Sequence, residues 1–327
     1  MKYTAIFTAL LFTLISFFSC NQSDKWHNME GIVWYTSYHI TFRGDESLKD
    51  SVIAAINRVG ESLNVFDSTS LISKVNRLDS TAVNPDFLKV YQASLNINRI
   101  TNGAFDPTLS PLITAWGFGP GHTPTADTLR IDSLMRFIGI NRTHLKENLI
   151  VKDNRNISFN FSGIAKGYGC DAVAEVLLNN GVTDMIVEIG GEIRATGMNP
   201  KNSLWRVSID RPILSADREI HDSQEIIQFS DKGLATSGNY RNFHKSGDHT
   251  FGHTISAKSG RPVQTDIISA SVVADNAMMA DGLATAFMAM GSTKARELVD
   301  SLQIPVMFVL SDSTVWTSPE FKKMIVK

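Results

Sequence analysis

"NFSGIAKGYGCDAVAEVLLNNGVTDMIVEIGG", residues 160–191, carries the pattern that decides the fold class of this chain. Its first third crowds Ser162, Gly163, Ala165, Gly167 and Gly169 around a single lysine, Lys166. Val173, Val176 and Leu177 then mark one face of a helix running from Ile164 to Leu178, and Gly181 ends it. "MIVEIGG" follows as a buried strand. The small residues read as backbone that comes close to an anionic group, with Lys166 as a solvated lysine on the loop. The stretch is nevertheless neither a P-loop, since Gly-Lys-Ser/Thr is missing, nor GxGxxG.

Working outward, "YHITFR" (38–43) alternates as a strand does, and "SVIAAINRVGESL" (51–63) places Val52, Ile53, Ile56, Val59 and Leu63 on one helical face. "NPDFLKVYQASLNINRITNG" (84–103) opens with Asn84 as an N-cap and Pro85 at the first helical position, and closes near Gly103. Downstream, "WRVSID" (205–210) and "EIIQFS" (225–230) read as strands. "VMFVLSDSTVWTS" (306–318) reads as a hairpin turning at Asp312–Ser313. Helices at about 276–290 and 293–303 alternate with these strands, and no internal repeat or long linker intervenes. The expectation is one α+β domain with a substantially antiparallel or mixed sheet and packed helices.

The 327 residues are 43% hydrophobic and 20% charged, enough for a large single core, and a net charge of −2 supplies no basic field for nucleic acid. Lys2 precedes an apolar run from Ala5 to Phe18, and Ser19–Cys20 follows it. That pattern predicts a signal peptide over 1–19, a lipidated tether over 20–28 beginning at Cys20, and the folded domain over 29–327. Cys170 is then alone in the mature chain, so no internal disulfide framework forms.

Three further stretches carry candidate chemistry. In "ADGLATAFMAMG" (280–291), Asp281 and Thr285 share a helical face, beside a buried stripe of Met279, Leu283, Phe287 and Met290. A carboxylate and a hydroxyl make a hard-oxygen pair suited to Mg²⁺; helix capping and a packed threonine are the alternative. In and around "SGDHTFGHTISAKSGRP" (246–262), His244, His249 and His253 cluster without a nearby cysteine. Either they bind zinc together, or His253 acts singly as a base or ring contact. In "TNGAFDPTLSPLITAWGFG" (101–119), Asp106 before Pro107 is a turn residue or a carboxylate aimed at a ligand.

Read in order, "ESLNVFDSTSLISKVN", "TNGAFDPTLSPLITAWGFG", "FSGIAKGYGCDAVAEVL", "MIVEIGGEIRATG", "LATSGNYRNF", "GHTISAKSGRP" and "ADGLATAFMAMG" resemble the successive motifs of the ApbE-type FAD:protein FMN transferases, from about Gly31 to Gly291. The resemblance implies a T-fold-like α+β domain that uses FAD as substrate with Mg²⁺, transfers FMN to a Thr or Ser of an acceptor protein and releases AMP. It implies metal ligation by the Gly163 carbonyl, Asp281 and Thr285. Lys166, Asn160, Ala104, Phe105, Asp106 and Ile255 would lie against FAD, Trp34 and Phe66 against flavin, and Lys166 and His253 would act in the transfer. Acceptors would be flavoproteins such as membrane redox-complex subunits, met by a lipid-anchored enzyme facing the periplasm. Relatives carry Met or Gln followed by Gly where this chain has Trp34–Tyr35, Asp at Asn160, and Asp/Asn-Pro at Ser256–Ala257. A Mg²⁺-dependent FAD pyrophosphatase and a non-catalytic flavin-binding lipoprotein are the alternative functions.

The leader reading predicts that Cys20→Ser releases the protein from membranes, because the lipid on that thiol is the only strong anchor once the apolar run is cleaved. Fractionation settles it: a serine variant still in the membrane fraction means that the apolar run itself is retained.

Overall fold

The computed structural model describes residues 25–77, 82–119, 127–212, 222–238, 243–246 and 249–326. The expected leader and Cys20 lie outside the described residues. The chain enters on a hairpin, β1 (Lys25–Val33) and β2 (Thr36–Gly44), paired antiparallel from Lys25↔Gly44 to Val33↔Thr36. Residues 25–28 therefore belong to the sheet and not to a tether. Their polarity is deceptive, because Trp26 meets Trp205 edge-on and the His27 ring lies over Phe42.

Helices α1 (Leu48–Leu63), α2 (Leu71–Arg77), α3 (Pro85–Ile100), α4 (Ser110–Ala115) and α5 (Thr128–Met135) follow, then a small hairpin of β3 (Thr143–Lys146) and β4 (Leu149–Lys152). In α3 the Asn84 side chain accepts from the Phe87 N–H with Pro85 at the first helical position, as the sequence implies. The opening stretch builds α6 (Ala165–Asn179) and β5 (Met185–Ile189), with Gly181 at φ +80° turning the chain between them. Next come β6 (Glu192–Thr196), the hairpin β7 (Trp205–Asp210)–β8 (Ser223–Phe229), β9 (Lys232–Gly238), and the hairpin β10 (Phe243–Ser246)–β11 (His249–Gly252). The chain ends with β12 (Ile267–Ala274), α7 (Ala277–Met290), α8 (Ser292–Leu302), β13 (Val306–Leu310), β14 (Val315–Thr317) and α9 (Pro319–Lys322).

Eight strands form one sheet in the order β1-β2-β5-β6-β9-β12-β13-β14, and every neighbouring pair is antiparallel. Alternation along the strands serves two faces. Ile40, Phe42, Met185 and Val187 meet Val173 and Leu177 of α6, while Val272 and Phe308 meet Phe287 of α7. On the opposite face Ile193, Leu234 and Met307 meet Trp205, Ile209 and Phe229 of the β7–β8 hairpin and Phe321 of α9. The result is a three-layer α+β domain.

Two helices decide where the chemistry lies, and a pair of carboxylates fixes them. Asp171 of α6 accepts from the Ala277 and Met278 N–H groups at 2.9 and 2.8 Å, satisfying free donors at the start of α7. One turn along, Asp281 of α7 accepts from the Gly167 N–H of α6 at 3.1 Å. Each helix thus contributes one carboxylate to the other's backbone. The crossing needs glycine: a Cβ at Gly167 would come within 2.3 Å of the Ala277 carbonyl oxygen. A Cβ at Gly233 of β9 would likewise lie 2.1 Å from the Ala277 nitrogen, so the sheet also touches the start of α7 directly.

Asp171→Ala should cost roughly 1–3 kcal/mol, since two N–H groups at the start of α7 lose their acceptor. Denaturant unfolding of the variant measures this; an unchanged midpoint would show that the crossing is held by packing alone.

Candidate functional site

The α6 and α7 ends, the β1–β2 and β5–β6 turns and the segment after α1 surround one cavity of about 1030 Å³. Trp34, Phe66, Ala104, Phe105, Asp106, Asn160, Gly163, Lys166, His253, Ile255, Asp281 and Thr285 all line it. Residues up to 251 positions apart in sequence, counted from Trp34 to Thr285, therefore share one site. Its volume is at the upper end for small-molecule sites and suits a dinucleotide-sized ligand.

Part of its lining is an oxygen cluster. Thr285 Oγ1 donates to the Gly163 carbonyl at 3.2 Å and lies 3.3 Å from Ser237 Oγ. Asp281 is four residues earlier on α7 and buried. It does not cap its own helix, a role taken by Asn276, whose side chain accepts from the Met279 N–H. One carboxylate, one hydroxyl and one carbonyl form a hard-oxygen donor set that fits Mg²⁺, which keeps further positions for water and phosphate oxygens. Among the described residues no three His, Cys, Asp or Glu side chains converge as a metal cluster. His244 and His249 lie on β10 and β11. The His253 ring instead stands edge-on to Phe118 at the cavity wall.

Lys166 differs from its reading as a solvated loop lysine. It occupies the first turn of α6, and its Nζ donates to Glu192 Oε2 at 2.6 Å and to the Gly190 carbonyl at 3.4 Å. Its side chain is 36% exposed, that of Glu192 4%. Burial pushes the Glu192 carboxyl up to about 7 and the Asp281 carboxyl up to about 6, although Lys166 opposes both shifts. Burial alone would lower the lysine, but the two carboxylates hold its ammonium above the ordinary range. Two buried acids thus share one ammonium, and the pocket is short of positive charge.

Glu192 is the functional residue the sequence reading missed. Its signal was present: an acid directly after Gly190–Gly191, opening a strand whose next residue is buried. Two glycines of the opening stretch meet packed neighbours and do not line the cavity. Gly167 serves the α6–α7 crossing, and Gly169 faces Trp34, whose Cη2 lies 2.7 Å from the position a Cβ would take. Of that run, Gly163 alone has its carbonyl in the oxygen cluster described here. Asp106 lines the cavity and also ties its own turn: Oδ1 accepts from the Thr108 N–H and Oγ1 at 2.8 and 2.6 Å, and Oδ2 from the Ile140 N–H at 3.1 Å. Asn160 Oδ1 accepts from the Ser162 N–H at 2.8 Å, shaping the segment that presents Gly163. Ile255 is buried beside Leu109 and Leu112.

The model of the ApbE family matches residues 35–308. The FAD:protein FMN transferase of Vibrio cholerae is 31% identical over 333 residues, covering 97% of this chain and 98% of its own. The solved structure described as the flavin transferase ApbE from Vibrio cholerae superposes with a TM-score of 0.82 at 30% identity, over 92% of this chain and 99% of that one. The apo Pseudomonas stutzeri flavinyl transferase ApbE gives 0.81 at 26% identity, over 93% and 99%.

The shared ammonium makes the two ends of its ion pair unequal. Lys166→Ala strands a buried carboxylate and should destabilise by about 1–3 kcal/mol or more, whereas Glu192→Gln leaves a lysine already open to the cavity. Adding Glu192→Gln to Lys166→Ala should therefore restore much of the lost stability. Strict additivity in that double-mutant cycle would mean that the contact carries no coupling.

Proposed function

The chain belongs to the ApbE family, and from that membership we infer that it is an FAD:protein FMN transferase that moves FMN from FAD to a Thr or Ser hydroxyl of an acceptor protein and releases AMP. The observation that carries this reading is the meeting of Lys166 with the Gly163, Asp281 and Thr285 oxygens inside one cavity walled by Trp34 and Phe66. Gly163, Asp281 and Thr285 would hold Mg²⁺, which when bound supplies charge neutralisation at the diphosphate. The ion also answers the excess of buried carboxylate beside Lys166.

Lys166, fixed by Glu192, presents a compact ammonium to phosphate oxygens whose charge shifts during transfer. The acceptor hydroxyl oxygen attacks the FMN phosphorus, the bond from that phosphorus to the AMP-side oxygen breaks, and AMP leaves with the electron pair. His253, at the wall of the same cavity, accepts the hydroxyl proton. The buried Phe105 and Ile255 limit water around the ring end of the ligand. In this reading the enzyme works from the periplasmic face of a membrane, tethered through Cys20 to reach acceptors such as membrane redox-complex subunits.

Incubation with FAD, Mg²⁺ and a candidate acceptor should add the mass of FMN to the acceptor, read by mass spectrometry. Asp281→Asn keeps an oxygen for the Gly167 N–H but loses the anionic metal ligand, so transfer should fall on the order of 10²-fold or more with the fold intact. Free FMN and AMP with an unmodified acceptor would make the protein a hydrolase, and unchanged FAD a binding protein.

A further inference from the structure

The turn joining β1 to β2 consists of two residues, Trp34 and Tyr35, at φ +49° and +64°. A two-residue hairpin turn of this hand needs positive φ at both positions, which is why Asn-Gly ordinarily fills it. Two bulky aromatics are strained there. For Trp34 the fold supplies a compensating contact. Its indole lies in a slot between Gly60 of α1 and Gly169 of α6, where a Cβ would approach Nε1 to 2.5 Å and Cη2 to 2.7 Å respectively. Tyr35 is different: it is 88% exposed, so the folded chain buries almost none of its ring. Yet it lines the cavity, beside Trp34, Thr36 and Phe66. Ile32, on the same hairpin and 80% exposed, does not. Backbone strain at a side chain that the fold does not bury marks a function outside the free chain.

We propose that Tyr35 is a ligand-binding residue whose ring closes over a planar heteroaromatic ring of the bound dinucleotide. The proposal rests on the transferase reading, because FAD is the ligand it takes. A tyrosine at the rim offers a large flat face for the ordering of only two torsions, and an opposed ring system is the surface it fits best. Trp34, held rigid in its slot, forms the wall behind, and Tyr35 the movable cover at the edge. The shared chemistry is stacking, and the isoalloxazine and the adenine of FAD both supply it.

The test is the binding of FAD, FMN and AMP, measured by calorimetry without acceptor, to wild type, Tyr35→Gly and Tyr35→Phe, with melting temperatures alongside. Tyr35→Gly should weaken FAD about tenfold, as loss of one stacked ring does. It should melt no lower than wild type, because the turn strain is relieved, and Tyr35→Phe should keep wild-type affinity. A loss that follows FMN identifies the isoalloxazine, and one that follows AMP identifies the adenine. Unaltered affinity for all three ligands in Tyr35→Gly overturns the proposal, including the case where only the KM for acceptor rises, which would make Tyr35 a protein-docking residue. A marked fall in melting temperature also overturns it, by making the ring a structural part of the turn. Failure of wild type to bind any of the three overturns the transferase reading together with this one.

Discussion

The site exists because α6 and α7 cross at backbone contact distance, each donating a carboxylate to the other's main chain. Asp171 binds the first N–H groups of α7, and Asp281 binds the Gly167 N–H of α6. These bonds set both the spacing and the axial register of the helices. Register matters because Lys166 precedes Gly167 by one residue and Thr285 follows Asp281 by one turn. A slip of one residue at this crossing would take the Gly163 carbonyl away from Thr285 and dissolve the oxygen cluster. The sheet reinforces the arrangement through Gly233, which lets β9 touch the start of α7.

The same aspartate that closes the crossing lines the cavity, so one side chain belongs to both the helix contact and the site wall. With Glu192 it leaves two buried acids to one ammonium. Such a grouping is costly in the free protein and becomes favourable when a cation joins it. In the proposed reading, a divalent ion with phosphate oxygens is what would offset this imbalance. This is the stability–function conflict expected where buried charge is arranged for chemistry.

Much of this was legible in the sequence, and the rest failed for identifiable reasons. Helical periodicity, the Asn84–Pro85 start and the hairpin with Ser313 at φ +66° are local, and local rules read them. Asp281 and Thr285 stood out because four-residue spacing is a helical neighbour relation. The small residues around Lys166 looked like a ligand cradle because glycine shows only that something approaches closely. At Gly167 the neighbour is another helix and at Gly169 an indole, both supplied by remote segments. Glu192 escaped notice because its meaning depends on Lys166, 26 residues away across the β5–β6 turn. Residues 25–28 read as a tether because an edge strand with one exposed face can be as polar as a linker.

The indole slot has a consequence for how this chain can change over time. Trp34, Gly60 and Gly169 come from three separate elements, yet none of the three can be altered alone without a gap or a collision. A side chain on either glycine is admissible only after the tryptophan has shrunk, and a smaller residue at 34 leaves a void until a glycine has grown. The three positions form a single heritable unit whose order of substitution is constrained. The turn that carries Tyr35 is thereby fixed in place by its neighbour's history as well as by its own hydrogen bonds.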